Sequence, residues 1–244
     1  MEPIGLDEMK AVRLMNRVDR KYMAPAAELE RLLCMVGGAY YAQHTGGSPL
    51  APYRTLYFDT DDLRMYTQHH NRKLGRQKLR VRTYRSTATT FFEIKNKDNK
   101  GKTRKVRIAV PPEEFDRVLE VDEVRRFVEG STPWQASALH ACLENRFERI
   151  TLVDRGMTER VTIDRGLAFL NRATGLGAEA RGLMVIEVKH EAGAPPSEVE
   201  RALHALHIRP RRMSKYCVGT AMTDPSAKSN RFKQKLMYIK KLDQ

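Results

Sequence analysis

The sequence is short of the features that mark several protein classes. No stretch of about 18 apolar residues occurs anywhere in the chain, so nothing reads as a membrane-spanning helix. The three cysteines, Cys34, Cys142 and Cys217, are far apart and form no CxxC pair and no zinc-ligand spacing. That argues against a disulfide framework and a structural zinc centre, and leaves buried inert thiols in a reducing compartment as the expectation. Aromatic residues are 7%, with Trp134 the only tryptophan, and no readable nucleic-acid motif appears. "GLGAEARG" (175–182) is followed by no GK[ST], so it reads as a flexible loop and not as a phosphate loop. No Ser/His/Asp or Cys/His spacing is recognisable, His204 and His207 have no carboxylate at ligand spacing, and there are no internal repeats. "MEPIGLDEMK" has no signal-peptide pattern, and a cytoplasmic location is expected.

Positive charge is what the chain has in excess. Lys and Arg number 44 against 30 Asp and Glu, a net charge of +14 over 244 residues. Such a balance calls for an anionic partner: nucleic acid, a membrane surface or a phosphorylated molecule. Hydrophobic content of 41% suffices for a packed core.

Periodicity predicts strands at 17–24, 53–60, 77–85, 90–97, 103–110, 147–154, 159–165 and 183–190. Helices are predicted at 24–36, with Pro25 near the first turn and Gly37-Gly38 past the end, and at 61–70, 111–130, 132–143 and 195–208. Residues 171–182 read as a loop. The organisation expected is one domain over 1–225 with a basic helical tail over 226–244, where "RFKQKLMYIKKL" has an amphipathic pattern. The tail reads as a solvated face, a lid or a membrane-surface contact.

The strand "RQKLRVRTYR" (76–85) puts Arg76, Lys78, Arg80 and Arg82 on one face and Leu79, Val81 and Thr83 on the other. Other strands repeat the division. Phe91, Glu93, Lys95 and Lys97 share a face; so do Thr103, Lys105 and Arg107; so do Arg160, Thr162 and Asp164; so do Glu187 and Lys189; so do Arg17, Asp19 and Lys21. Two readings follow. The charged faces are solvated, or helices cover the apolar faces and the charged faces turn inward around a ligand. In the second case about eight antiparallel strands would close into a barrel with a charged lumen and helices outside, an α+β fold.

The ordered series "RVDRKY", "YFDTDDLRMY", "KLRVRTY", "FFEIKNK…GKTRKVR", "FERITLVD…RVTIDR", "VIEVK" and "SKY" resembles the VTC domain, the polyphosphate polymerase domain of the triphosphate tunnel (CYTH-like) superfamily. The resemblance runs from about residue 13 to 220. It implies an eight-stranded antiparallel tunnel whose basic lumen binds triphosphate or polyphosphate, and an enzyme that transfers the γ-phosphate of ATP to polyphosphate with Mn²⁺ or Mg²⁺. Carried over position by position, it makes Lys21, Arg80, Arg82, Lys95, Lys105, Arg149, Arg160 and Lys215 the catalytic candidates, and Glu187 and Glu93 the metal candidates. Ser214 of the closing "SK", together with Arg17, Lys78, Arg107 and Lys189 on the charged faces, would bind substrate. ATP, triphosphate or polyphosphate is the implied partner, nucleic acid is not, and a separate membrane protein is a further candidate. There are departures. Phe147 replaces the tyrosine of "YxR" and removes a hydrogen bond to phosphate, and Arg17-x-Asp19-x-Lys21 is not the ExExK of CYTH enzymes. The alternatives are a non-catalytic polyphosphate or inositol-phosphate module, a triphosphatase and, behind them, a nucleic-acid binder.

Overall fold

Alternating strand sequences with one apolar and one charged face produce a single large sheet. The computed structural model describes residues 1–11 and 17–244; the side chain of Arg17 lies outside the described residues. Eight strands form a continuous path. In chain order they are β2 (Arg17–Pro25), β4 (Ala51–Asp59), β5 (Arg76–Tyr84), β6 (Thr89–Lys97), β7 (Thr103–Val110), β8 (His140–Asp154), β9 (Glu159–Asn171) and β11 (Leu183–Glu191). Across the sheet the order is β2-β11-β9-β8-β4-β5-β6-β7, every neighbour antiparallel. Three short strands lie off this path: β1 (Pro3–Ile4) on β3 (Tyr40–Gln43), β3 on β8, and β10 (Gly177–Ala180) on β9.

The fold is α+β, with a large antiparallel sheet and helices, but the sheet is not the closed barrel expected from the pattern. Among the described residues no ladder joins β2 to β7. The outer edge of β2 is taken by the segment around Pro210. Tyr22 bridges Pro210, and the Arg211 N–H donates to the Lys21 carbonyl at 2.7 Å. Pro210 has no N–H with which to extend that pairing.

The open sheet is nonetheless strongly curled. Strands five places apart in a flat sheet lie about 24 Å from each other. Yet Lys95 on β6 is crowded by Glu187 and Lys189 of β11, and Lys78 on β5 by Lys21 of β2. Much of the outer face is apolar, and helices cover that part. Helices α1 (Leu29–Val36) and α4 (Glu198–Ala205) pack Leu32, Val36, Val199 and Leu203 against Ile150, Leu152, Ile163, Ile186 and Val188. Helix α3 (Asp122–Ser131) packs Val124 and Val128 against Leu56, Leu79, Val81, Phe92 and Ile94.

One part of the inner face is apolar too, and α5 (Lys215–Thr223) fills it. Tyr216, Cys217 and Val218 lie against Leu143, Leu167, Phe169 and Tyr57, and Phe232 and Ile239 of the C-terminal segment join them. Helix α2 (Arg64–His70) is capped from a distance: the Asp59 carboxylate accepts from Met65 N at 2.9 Å and Tyr66 N at 2.8 Å. Tyr216 donates to the same carboxylate and ties α5 to α2. The tail forms α6 (Lys233–Leu242), with Ile239 buried and Lys233, Lys240 and Lys241 exposed.

Several local expectations are corrected. Residues 132–143 are not a helix; the strand reaches back to His140 because Ala141 pairs with Phe58 and His140 with Asp59. Within 111–130 the α-helix begins only at Asp122, and part of the loop at 171–182 is β10. Of the cysteines, Cys142 and Cys217 are buried but Cys34 is exposed.

Candidate anion-binding site

Register brings the candidate residues onto one surface. On β5, β6 and β7, Lys78, Lys95 and Lys105 form one cross-strand row, and Arg80, Glu93 and Arg107 the next. Arg82 pairs with Thr55 and Phe91. On the other flank, Lys21, Glu187 and Thr162 form a row, and Asp19, Lys189 and Arg160 another. Arg149 pairs with Asp164 between the flanks.

Three carboxylates organise these cations, each held between two of them. Glu93 accepts from Arg80 Nε at 2.7 Å and from Lys105 Nζ at 2.8 Å. Asp164 accepts from Arg149 Nε at 2.5 Å and Nη2 at 2.8 Å, and from Lys215. Glu187 lies between Lys21 and Lys189, the latter at 2.8 Å. Burial alone would raise each carboxyl, but the flanking cations outweigh it: Arg80 and Arg82 hold Glu93, Lys21 and Lys189 hold Glu187, and Arg149 and Lys215 hold Asp164 well below the usual carboxylate range.

Other cations have no such partner. Arg82 is 8% exposed; its Nε donates to Thr55 Oγ1 at 3.2 Å, and Glu93 is 4.0 Å away. Burial and then Arg80 push its guanidinium down. Lys78 donates to Ser214 Oγ at 2.8 Å, the hydroxyl that also caps α5 by accepting from Cys217 N. Burial pushes Lys78 down to about 8, with Arg76, Arg80 and Lys21 adding to it. Burial takes Lys215 to about 8 as well, Asp164 notwithstanding. Lys95 reaches solvent, but the protein around it and Arg80 lower it to about 8 too. Among the described residues no carboxylate lies within ion-pair distance of Lys78, Lys95 or Arg160. Arg107, opposite Glu93 in the ladder, makes no ion pair among the described residues and lies 4.2 Å over the Phe91 ring.

Asp164, which parity puts on a charged face but which is not among the metal or catalytic candidates, closes the shortest of these contacts to an arginine. Its position in "TxD" on the charged parity was the available signal. Two aromatic rings were also undervalued. Arg149 lies 4.8 Å over Tyr53, and Lys215 lies 4.6 Å over Phe147. Tyr53 and Phe147 stack at 5.1 Å. Phe147 thus offers a π-face where a hydroxyl was expected.

This surface can neutralise and orient a multiply charged oxyanion. Residues 16–223 match the VTC domain family. No protein of curated function matches the sequence. Among solved structures, a Hippeastrum protein described as an adenylyl cyclase with a dominant triphosphatase activity superposes at a TM-score of 0.54, with 14% identity, covering 86% of this chain and 97% of its own. A Vibrio parahaemolyticus protein described as an adenylate cyclase gives 0.49, with 12% identity over 84% of this chain and 99% of its own.

Proposed function

The chain belongs to the VTC domain family, and from that premise we propose that it binds triphosphate or polyphosphate on the inner face of the sheet and transfers the γ-phosphate of ATP to a growing polyphosphate chain. The observation that carries the reading is the surplus of inward cations. Lys78, Arg82, Lys95 and Arg160 stand beside three carboxylates whose charge is already matched by Lys21, Arg80, Lys105, Arg149, Lys189 and Lys215. A solvated strand face needs no such surplus, whereas phosphoryl transfer depends on neutralising and aligning phosphate oxygens.

In this reading Arg80, Arg82 and Arg149 give bidentate contacts, and Lys21, Lys95, Lys105, Arg160 and Lys215 supply positive charge where it develops on the transferred group. Lys78, Arg107, Lys189 and Ser214 hold the rest of the chain. The curled inner face takes the place of a closed lumen. The cytoplasm is the proposed location; no helix among the described residues is long and apolar enough to cross a membrane. A membrane-protein partner would be a separate chain.

The fit of a divalent ion is limited by the donors. No group of three or more His, Cys, Asp or Glu able to hold a metal occurs among the described residues. Both oxygens of Glu187 and of Glu93 already accept from cations. Mn²⁺ or Mg²⁺ therefore fits as a guest of the phosphates, with Glu187 as its protein ligand and Glu93 as the second candidate, once a lysine turns from carboxylate to phosphate. Bound there, it would spread the negative charge of the transferring group.

A second reading, triphosphate hydrolysis, is favoured by the fold shared with the Hippeastrum protein. Incubation with ATP and Mn²⁺, followed by a polyphosphate gel and an orthophosphate assay, separates the outcomes. A ladder of chain lengths is expected. Orthophosphate alone would make the protein a triphosphatase, binding without turnover would make it a sensor module, and the absence of saturable binding would refute the site.

A further inference from the structure

Beyond the three carboxylate-centred groups the inner face carries a second concentration of charge, and it contains no carboxylate. Its centre is His69, in the last turn of α2. Helix α2 packs on β5, where Arg76 pairs with Lys97 of β6 and shares its face with Lys78; these three cations and Lys235 of α6 all act electrostatically on the ring. The imidazole Nδ1 is enclosed and has no hydrogen-bond partner among the described residues. Lys235 in turn lies beside Arg72 and Arg211. None of Arg76, Lys97 or Lys235 has a carboxylate within ion-pair distance among the described residues, and Arg76 spends one N–H on the Lys73 carbonyl.

Folding gains nothing from gathering like charges around a half-buried ring unless something else recommends the arrangement. Around Glu93, Asp164 and Glu187 the chain places a carboxylate between cations. Here it places a histidine, which is neutral when crowded by cations and offers a single N–H to an oxyanion. Lys78 belongs to both regions, because it also faces Lys21 and Arg80. The positive surface is therefore continuous from the Arg80–Glu93–Lys105 group through Lys78 to His69 and out along α6.

We propose that the His69 cluster is a second oxyanion subsite, which takes a phosphate group of a linear polyphosphate too long for the first site alone. This rests on the phosphate reading above and extends it to the length of the ligand: triphosphate fills the first site, and longer chains reach past Lys78 to Arg76, Lys97 and Lys235.

The test uses the full chain, tripolyphosphate and a longer linear polyphosphate of defined length, titrated by calorimetry. Wild-type protein should bind the longer chain at least about tenfold more tightly. The double variant Arg76→Gln/Lys235→Gln should lose that gain and keep its affinity for tripolyphosphate. Lys97→Gln, a single change on a half-exposed side chain, repeats the test should the double variant fold poorly. The His69 ring resonances should move on adding the longer chain and stay in place with tripolyphosphate. Equal affinity of wild type for both ligands, equal losses for both in the variants, or a single-stranded RNA that outcompetes polyphosphate would each overturn the subsite while leaving triphosphate binding intact. If wild type bound neither phosphate, the functional reading and the subsite would fall together.

Discussion

Two ionic networks lie on opposite faces of the same sheet, and their balance differs. On the outer face Glu144, 2% exposed, accepts from Arg54 at 2.9 Å, from Arg146 at 2.7 Å and from Arg172. Asp116 adds a second carboxylate to Arg54 at 2.9 Å and to Arg172 at 3.1 Å. Each of those arginines is engaged by at least one carboxylate. On the inner face Glu93, Asp164 and Glu187 each bond two cations, Arg82 reaches Glu93 only at 4.0 Å, and among the described residues Lys78, Lys95 and Arg160 have no carboxylate within ion-pair distance. The outer network is closed and serves the packing of β4 and β8. The inner one is open toward an anion. Proximity of charges alone does not distinguish a structural network from a binding site; the uncompensated remainder does.

The largest effect expected is on stability, and it should be common to both faces. Glu93→Ala leaves the enclosed Arg80 without its carboxylate, a loss of about 3–5 kcal/mol, whereas Glu144→Ala leaves Arg54 and Arg172 with Asp116 and strips only the exposed Arg146, a smaller loss. Denaturant unfolding should show a drop for both variants, larger for Glu93→Ala, and only Glu93→Ala should also alter tripolyphosphate affinity. If both variants changed that affinity alike, the two networks would not be separate in function.

Glu187→Gln separates charge balance from metal binding. If Glu187 holds Mn²⁺ or Mg²⁺, polymerisation should collapse by about 100-fold or more, the order of loss when a key electrostatic group is removed. Metal-free triphosphate binding should persist or tighten. Titrating Mn²⁺ with a non-hydrolysable ATP analogue measures this directly, and identical metal dependence in the two proteins would remove Glu187 from the metal site.

A smaller effect concerns pH and acts in opposite directions on stability and binding. Lys78 and Lys215 lie near 8 in the folded protein, below the ordinary lysine value. The unfolded chain therefore binds more protons between about pH 8 and 10.4, so their contribution to stability rises with pH across that window. Phosphate prefers the charged lysines, so affinity should fall as pH is raised from 7 to 9, by up to roughly tenfold per lysine lost. Melting temperature and tripolyphosphate affinity measured together against pH should diverge; parallel curves would mean that these lysines do not face the ligand.

Smallest is Phe147→Tyr, which restores the hydroxyl of "YxR". It should change affinity by no more than about 1 kcal/mol, since the ring already contacts Lys215 and stacks on Tyr53. A large gain in turnover would show that the missing hydroxyl limits catalysis.

Much of this surface is legible in the sequence, because strand parity is a local property. Alternation in 76–85, 90–97 and 103–110 places Lys78, Arg80, Arg82, Glu93, Lys95, Lys105 and Arg107 on one side without knowledge of their partners. What depends on distant partners was not legible. His140–Ala141 became strand through pairing with Asp59 and Phe58, against a sequence that reads as helix. Helix α5 was missed because "KYCVGTAMT" has β-branched residues and Gly219, a poor helix former; a Cβ at Gly219 would come within 2.4 Å of the Phe169 ring, so the glycine serves close packing. Closure of the barrel depends on what occupies the edge of β2, and the segment around Pro210 was not readable as its occupant. Parity likewise puts Glu93 and Lys105 on one face but does not say that they meet at 2.8 Å while, among the described residues, Lys78 and Lys95 have no carboxylate within ion-pair distance.

The central claim is that the uncompensated cations of the inner face bind triphosphate. It is tested most directly by calorimetric titration of tripolyphosphate into wild type, Arg82→Ala and the outer-face variant Arg54→Ala. Arg82 is enclosed and lacks a close carboxylate, so its removal should relieve repulsion and leave the melting temperature equal or higher. One saturable site is predicted for wild type, with a loss of about 2–3 kcal/mol, roughly 30- to 150-fold in affinity, for Arg82→Ala. Arg54→Ala should bind as wild type does while losing stability. Unchanged binding by Arg82→Ala together with a sharp fall in its melting temperature would contradict the account, because Arg82 would then be structural and the inner face no more a binding site than the outer one.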